Sequence, residues 1–179
     1  MFRTLMAAAV LAASALPGTA SAQEGEKFDC VVASIPSETR ASIGDAMAGG
    51  GDTASREALF KDLGTVTDAC VTRHGITAEQ KGIYFDYSLA RISREWLAAD
   101  IGKLDLAPAV VDKALDFGPS GANPDLSGDM TENQIMKIVQ AYIESGVDIE
   151  KVDGTAWEKV GAYAAATSIY WNKRKLLPF

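Results

Sequence analysis

Histidine and cysteine are almost missing from this chain: its 179 residues hold one histidine, His74, and two cysteines, Cys30 and Cys70. Three such residues cannot supply the four soft ligands of a structural zinc site, and the cysteines lack the close spacing of a redox or metal knuckle. No metal and no cofactor is expected. The chain also has no lysine-ended phosphate loop, dinucleotide fingerprint, serine elbow or paired-histidine zinc helix. Gly49-Gly50-Gly51 precedes a helix, but without an upstream strand or a lysine it reads as a connector. Positive charge is scarce too. Seventeen Lys and Arg stand against 24 Asp and Glu, a net charge of -7, and the acids are spread along the chain. That balance disfavours nucleic acid and anionic lipid as partners. The one basic cluster, Lys173-Arg174-Lys175, closes a helix, where cations answer the negative end of the helix dipole.

Long apolar runs are lacking as well. The longest, Leu5 to Leu16, falls short of the about 20 residues needed to cross a hydrocarbon core. Arg3 precedes it, Pro17-Gly18 breaks it, and Ala20-Ser21-Ala22 follows. This is the order of a cleavable secretory leader. Residues 1–22 are expected to be removed, leaving 23–179 as a single all-helical domain in the periplasm or outside the cell, with no transmembrane segment. No cysteine directly follows the run, so a lipid anchor has no attachment residue there.

Export makes a Cys30–Cys70 disulfide the default. Cys70 lies on the stripe Leu59, Leu63, Val66, Cys70, whose spacings of four, three and four belong to one helical face. Cys30 stands beside Phe28, Val31 and Val32 in an arm that reads as irregular, with Val31 to Ile35 the only short strand candidate. The bond would close a loop of about 40 residues, worth on the order of 4 kcal/mol in the chain-entropy model.

What is plentiful is helical periodicity. Pro36-Ser37-Glu38 opens a short helix that the three glycines stop, and a second runs over about Thr53 to Arg73 and ends at Gly75. Thr77 and Gln80 have capping-box spacing, as do Thr131 and Gln134. The helix after Thr77, about Ala78 to Ile101, carries Phe85, Leu89, Ile92 and Trp96 on a wide apolar face and belongs at the centre of the core. Pro108 starts a shorter helix, Thr131 opens another that ends at Gly146, and the last runs from Gly154 or Thr155 to about Lys175. The expected fold is all-α, a compact bundle of about six helices with an irregular N-terminal arm.

Candidate chemistry is thin. The stretch from Asn123 to Gln134 matches a calcium loop in part, with Asn123, Asp125, Ser127 and Gly128 in register. It fails at its last position, where neutral Gln134 replaces the bidentate carboxylate. His74 stands where its helix ends and suits a C-terminal cap. The polar face of the central helix offers Asp86, Arg91 and Glu95, with Arg91 and Glu95 spaced for an ion pair. His74 with these three is the only constellation for a small hydrolase or lyase. Tyr163, Tyr170, Leu176, Leu177 and Phe179 lie near the C-terminus as candidate interface residues, or else fold back to close the bundle. Trp96, Trp157 and Trp171 fall on apolar stripes and read as packing. The leading expectation is a binding or structural role in the cell envelope, with an envelope protein or a small molecule as partner.

Overall fold

The structure is a computed structural model that describes the backbone of residues 18–179 and the side chains of residues 25–179. The expected leader falls on residues 1–17, outside the described residues, and on 18–22, described by backbone alone. The described chain is all-helical. It runs α1 (Gly18–Ser34), α2 (Ser37–Met47), α3 (Thr53–His74), α4 (Ala78–Gly102), α5 (Pro108–Ala114), α6 (Glu132–Glu144), a 3-10 turn (Ile149–Lys151) and α7 (Gly154–Leu176).

Helix α1 corrects the expectation of an irregular arm and of a strand at Val31 to Ile35. Phe28, Val31, Val32 and Ile35 stand at i, i+3, i+4 and i+7, and all four are buried. Their β-branched chemistry suggested a strand, but their spacing is helical, and tertiary burial follows spacing. The last turn of α1 is held by Arg40, which donates to the Val32 carbonyl at 2.9 Å. Cys30 and Cys70 are bonded as expected, joining α1 to α3.

The other boundaries follow local chemistry. The Asp52 and Asp153 carboxylates accept from the N–H groups of Ser55 and Ala156, each at 2.8 Å, capping α3 and α7. At Thr131 the capping box forms in full: the Gln134 side chain accepts from Thr131 N at 2.8 Å, and the Thr131 hydroxyl accepts from Gln134 N at 3.3 Å. Gly75 ends α3 with φ of 62°, its N–H returning to the Val71 carbonyl. That closure satisfies the helix end through the backbone, so the cap expected of His74 is not made.

Helix α4 runs through the middle and packs against α1, α2, α3, α5 and α7. Its first half joins a core with Val31, Ile43, Leu63 and the Cys30–Cys70 bond. Leu97 and Ile101, toward its end, join a second core with Val111, Ile138, Tyr142 and Val160. At the crossing with α2, the Cβ and ring of Trp96 occupy the space where a Gly44 side chain would begin. Leu177 is buried, and Phe179 lies against Phe28 and Tyr84 with centroids 5.0 and 6.1 Å apart. The tail therefore folds back onto the bundle.

Two changes test this packing. Gly44→Ala is expected to cost about 1–3 kcal/mol, because Trp96 is backed by the core and yields only with strain. A lower urea midpoint at unchanged m-value is the signature. Replacing both Cys30 and Cys70 by Ser should lower stability by about 2–4 kcal/mol in the same measurement.

Candidate functional site

The residues proposed from sequence do not gather in one place. Among the described residues, His74 makes no side-chain hydrogen bond or ion pair, and it lines neither of the two clefts described below. Asp86 is held by Lys173 of α7, with 2.7 Å between them. Arg91 and Glu95 form the expected pair at 2.9 Å on a different side of α4. The constellation of His74 with Asp86, Arg91 and Glu95 is thus divided by the helix itself, since positions 86 and 91 point in different directions on a 3.6-residue turn.

Two interface candidates also lie elsewhere than on the surface. Tyr163 is 1% exposed and Leu177 5%. The Tyr163 hydroxyl donates to Asp112 at 2.9 Å, and Arg94 completes the cluster by bonding Asp112 at 3.0 Å and Thr167 at 3.2 Å. Tyr84 is fully buried and donates to the Lys27 carbonyl at 2.6 Å. Tyr170 and Phe179 are half-buried against the first core, and only Leu176 is well exposed. The partial calcium loop is a docked turn. The Asn123 amide bonds backbone groups of Gly118 and Gly121, and Leu126 N donates to Ser168 of α7 at 2.9 Å. Among the described residues, no group of three or more His, Cys, Asp or Glu side chains is placed to hold a metal ion.

One cleft lies between α4 and α7, about 360 Å³ in volume, with Leu89, Ala90, Ala165 and Ile169 among its walls and the Asp86–Lys173 pair beside them. Its Asp86, Lys173 and Ser93 side chains already have partners. A second crevice, of about 340 Å³, is different. Helix α1 contributes Phe28 and Asp29; α4 contributes Tyr87, Arg91 and Glu95 at spacings of four; α7 contributes Tyr170, Trp171 and Arg174. Three helices meet here because the disulfide clips α1 to α3 while Arg91 ties α1 to α4. The Arg91 guanidinium donates to Glu95 at 2.9 Å, to Asp29 at 2.6 Å and to the Phe28 carbonyl at 3.0 Å. Burial works against its charge, but the hydrogen bonds to Glu95 and Asp29 outweigh burial and raise its pKa further.

Arg174 has no carboxylate within ion-pair distance among the described residues; its guanidinium lies 4.0 Å from the Phe28 ring centroid. Tyr87 is fully buried, stacked on Tyr170 at 5.3 Å and edge-on to Phe28 at 5.4 Å. Among the described residues, its hydroxyl is the one buried side-chain polar atom without a hydrogen-bond partner. Burial pushes the Tyr87 phenol up to about 12, with Tyr170 adding to the rise while Arg91 and Arg174 oppose it. Arg91 opposes the rise through its charge and through a close polar approach to the hydroxyl, one that falls short of hydrogen-bond geometry. At neutral pH, then, Tyr87 is a neutral donor lacking an acceptor, beside a guanidinium lacking a counter-ion.

Sequence reasoning reached Arg91 and Glu95 but read Arg174 as a helix-end charge and Trp171 as packing. The signal that was present is spacing: Tyr87, Arg91 and Glu95 share one face of α4, and Tyr170 and Arg174 share one face of α7. No family model, curated protein or solved structure matches this chain.

The contrast between the two buried tyrosines is measurable. Tyr84→Phe removes its hydrogen bond to the Lys27 carbonyl and should cost about 0.5–1.5 kcal/mol beyond any packing effect. Tyr87→Phe removes a hydroxyl that has no partner, so stability should be unchanged or rise by about 1 kcal/mol in parallel urea titrations.

Proposed function

We propose that the protein is an exported helical binding protein of the cell envelope, and that it holds a small molecule in the crevice between α1, α4 and α7. The observation that carries this reading is the unpartnered Tyr87 hydroxyl in a crevice also lined by Arg174. Buried polar groups are nearly always satisfied, and an orphan in a native structure calls for a missing partner. A bound molecule supplies one. The crevice volume lies within the range of small-molecule sites, roughly 300–1,000 Å³, and its walls combine aromatic rings with the charged side chains of Asp29, Arg91, Glu95 and Arg174.

Export is supported by the order of charge, apolar run and small residues over Arg3 to Ala22, and by a disulfide of the kind oxidising compartments retain. No described helix is long and apolar enough to cross a membrane. Binding fits the site better than catalysis does, since its arginines cannot act as bases near neutral pH and its tyrosine keeps its proton.

Two measurements check the reading together. Cell fractionation should recover the protein with its leader removed, in the periplasmic or extracellular fraction. Native mass spectrometry of that protein, after exposure to a small-molecule extract of the same fraction, should show a bound mass below about 1 kDa. Trp171→Ala, which opens the crevice wall, should lose that mass while keeping its helical circular dichroism. A wild-type spectrum without any bound species, or one unaffected by Trp171→Ala, removes the crevice as the binding site.

A further inference from the structure

We propose that the crevice between α1, α4 and α7 selects a small planar carboxylate, an aromatic acid whose charged group bonds Tyr87 and Arg174 while its ring lies among Phe28, Tyr170 and Trp171. This inference rests on the binding reading and names its ligand class. The two groups left unsatisfied set the requirement. Tyr87 Oη is a donor without an acceptor, and Arg174 is a cation without an anion. One oxyanion answers both. The crevice already holds two carboxylates, Asp29 and Glu95, but each is turned to Arg91, at 2.6 and 2.9 Å. Arg91 is therefore occupied within the wall, shared by two carboxylates that outnumber it, and the one guanidinium left free for a ligand is that of Arg174.

The rest of the crevice sets the shape of the ligand. Tyr170 and Trp171 stand nearly perpendicular, with centroids 4.9 Å apart, and Tyr170 stacks on Tyr87. Phe28 lies on the far side, under the Arg174 guanidinium. Flat aromatic surfaces at these angles accept a planar ring by stacked and edge-on contact, worth more than the buried area alone. A carboxylate suits this site better than a phosphate. Two donors match its two oxygens, whereas the additional oxygens and second charge of phosphate would face Asp29 and Glu95 across a small space. The acidic surface of the whole protein, at net charge -7, further penalises the more highly charged anion.

The test uses the mature protein with three probes of related size or charge: benzoate, benzamide and inorganic phosphate. Binding is followed by the NMR shift of the Trp171 indole N–H. Benzoate should bind at least about tenfold tighter than benzamide, which has the ring but no charge, and than phosphate, which has charge but no ring. Arg174→Gln should bring benzoate down to the level of benzamide. Tyr87→Phe should weaken benzoate about tenfold and leave benzamide nearly unchanged. Lys175→Gln, an exposed cation one residue along, should alter neither.

Equal binding of benzamide and benzoate would overturn the proposal by showing an uncharged aromatic slot. Phosphate binding as tightly as benzoate would overturn it by showing a plain anion site. So would benzoate binding that survives Arg174→Gln, or no indole shift with any probe. If all three probes fail while a native bound mass is still lost in Trp171→Ala, the crevice remains a binding site and only the ligand class falls. If that bound mass is also absent, the binding reading falls with it.

Discussion

A helix surrounded on most of its circumference cannot leave the polar side chains of its buried faces to water, and α4 is such a helix. Polar groups on those faces find partners on neighbouring elements or within α4 itself, and the partners on other elements help decide where the neighbours sit. Tyr84 and Arg91 bond backbone carbonyls of α1; Arg94 engages Asp112 of α5 and Thr167 of α7; Asp86 and Asp100 each hold a lysine of α7. The hydroxyls of Ser88 and Ser93 turn back to carbonyls of α4 itself, each at 2.8 Å. An unpaired group in these positions would cost the full desolvation penalty, so the bonds fix orientation more than they add net stability. Apolar contact holds α4 in the bundle; polar satisfaction selects its rotation and its neighbours' register.

Against that pattern Tyr87 is the exception. It stands one turn before Arg91, on the same helix face, and its hydroxyl alone among the described buried side chains goes without a partner. The exception coincides with a crevice rather than with close-packed core, and with Arg174, a cation from another helix that pairs with no acid there. A buried orphan inside a packed interior would be a defect. Placed in the lining of an opening between three helices that also holds Arg174, the same orphan is the group on which the proposed binding site rests. The Cys30–Cys70 bond matters to this arrangement because it holds down α1, the helix that supplies Phe28 and Asp29 to one wall.

Much of the helix plan could be read from residues close in sequence. Periodic apolar positions, the threonine–glutamine capping boxes, Pro108 at a first turn and Gly75 after a last one are local signals, and the observed boundaries follow them. The N-terminal helix was misjudged because Val31, Val32 and Ile35 carry strand-like side chains at helix-like spacing. Tertiary burial resolved the conflict in favour of spacing. For the site, the i,i+4 relation of Arg91 and Glu95 was visible, because both lie on one helix. Arg174 was not, since its surroundings depend on Phe28, far away in the chain. For Tyr163 and Leu177 an interface and a fold back onto the bundle were both open from the sequence; both residues are buried, and the tail folds back.

By itself, then, the sequence determined the class of fold, the starts and stops of the helices after α1, the pairing of its only two cysteines, and the absence of familiar phosphate, dinucleotide and zinc motifs. Those properties depend on neighbours within about one or two helical turns, or on a pairing that leaves no alternative. The tertiary structure alone decided which polar groups of α4 meet partners. Arg91 meets Asp29, Asp86 meets Lys173, Arg94 meets Asp112, and Tyr87 meets none. Whether a side chain is satisfied depends on groups brought near it by chain segments tens of residues away. Such contacts carry no local signature, because their energy is set by burial and direction in three dimensions.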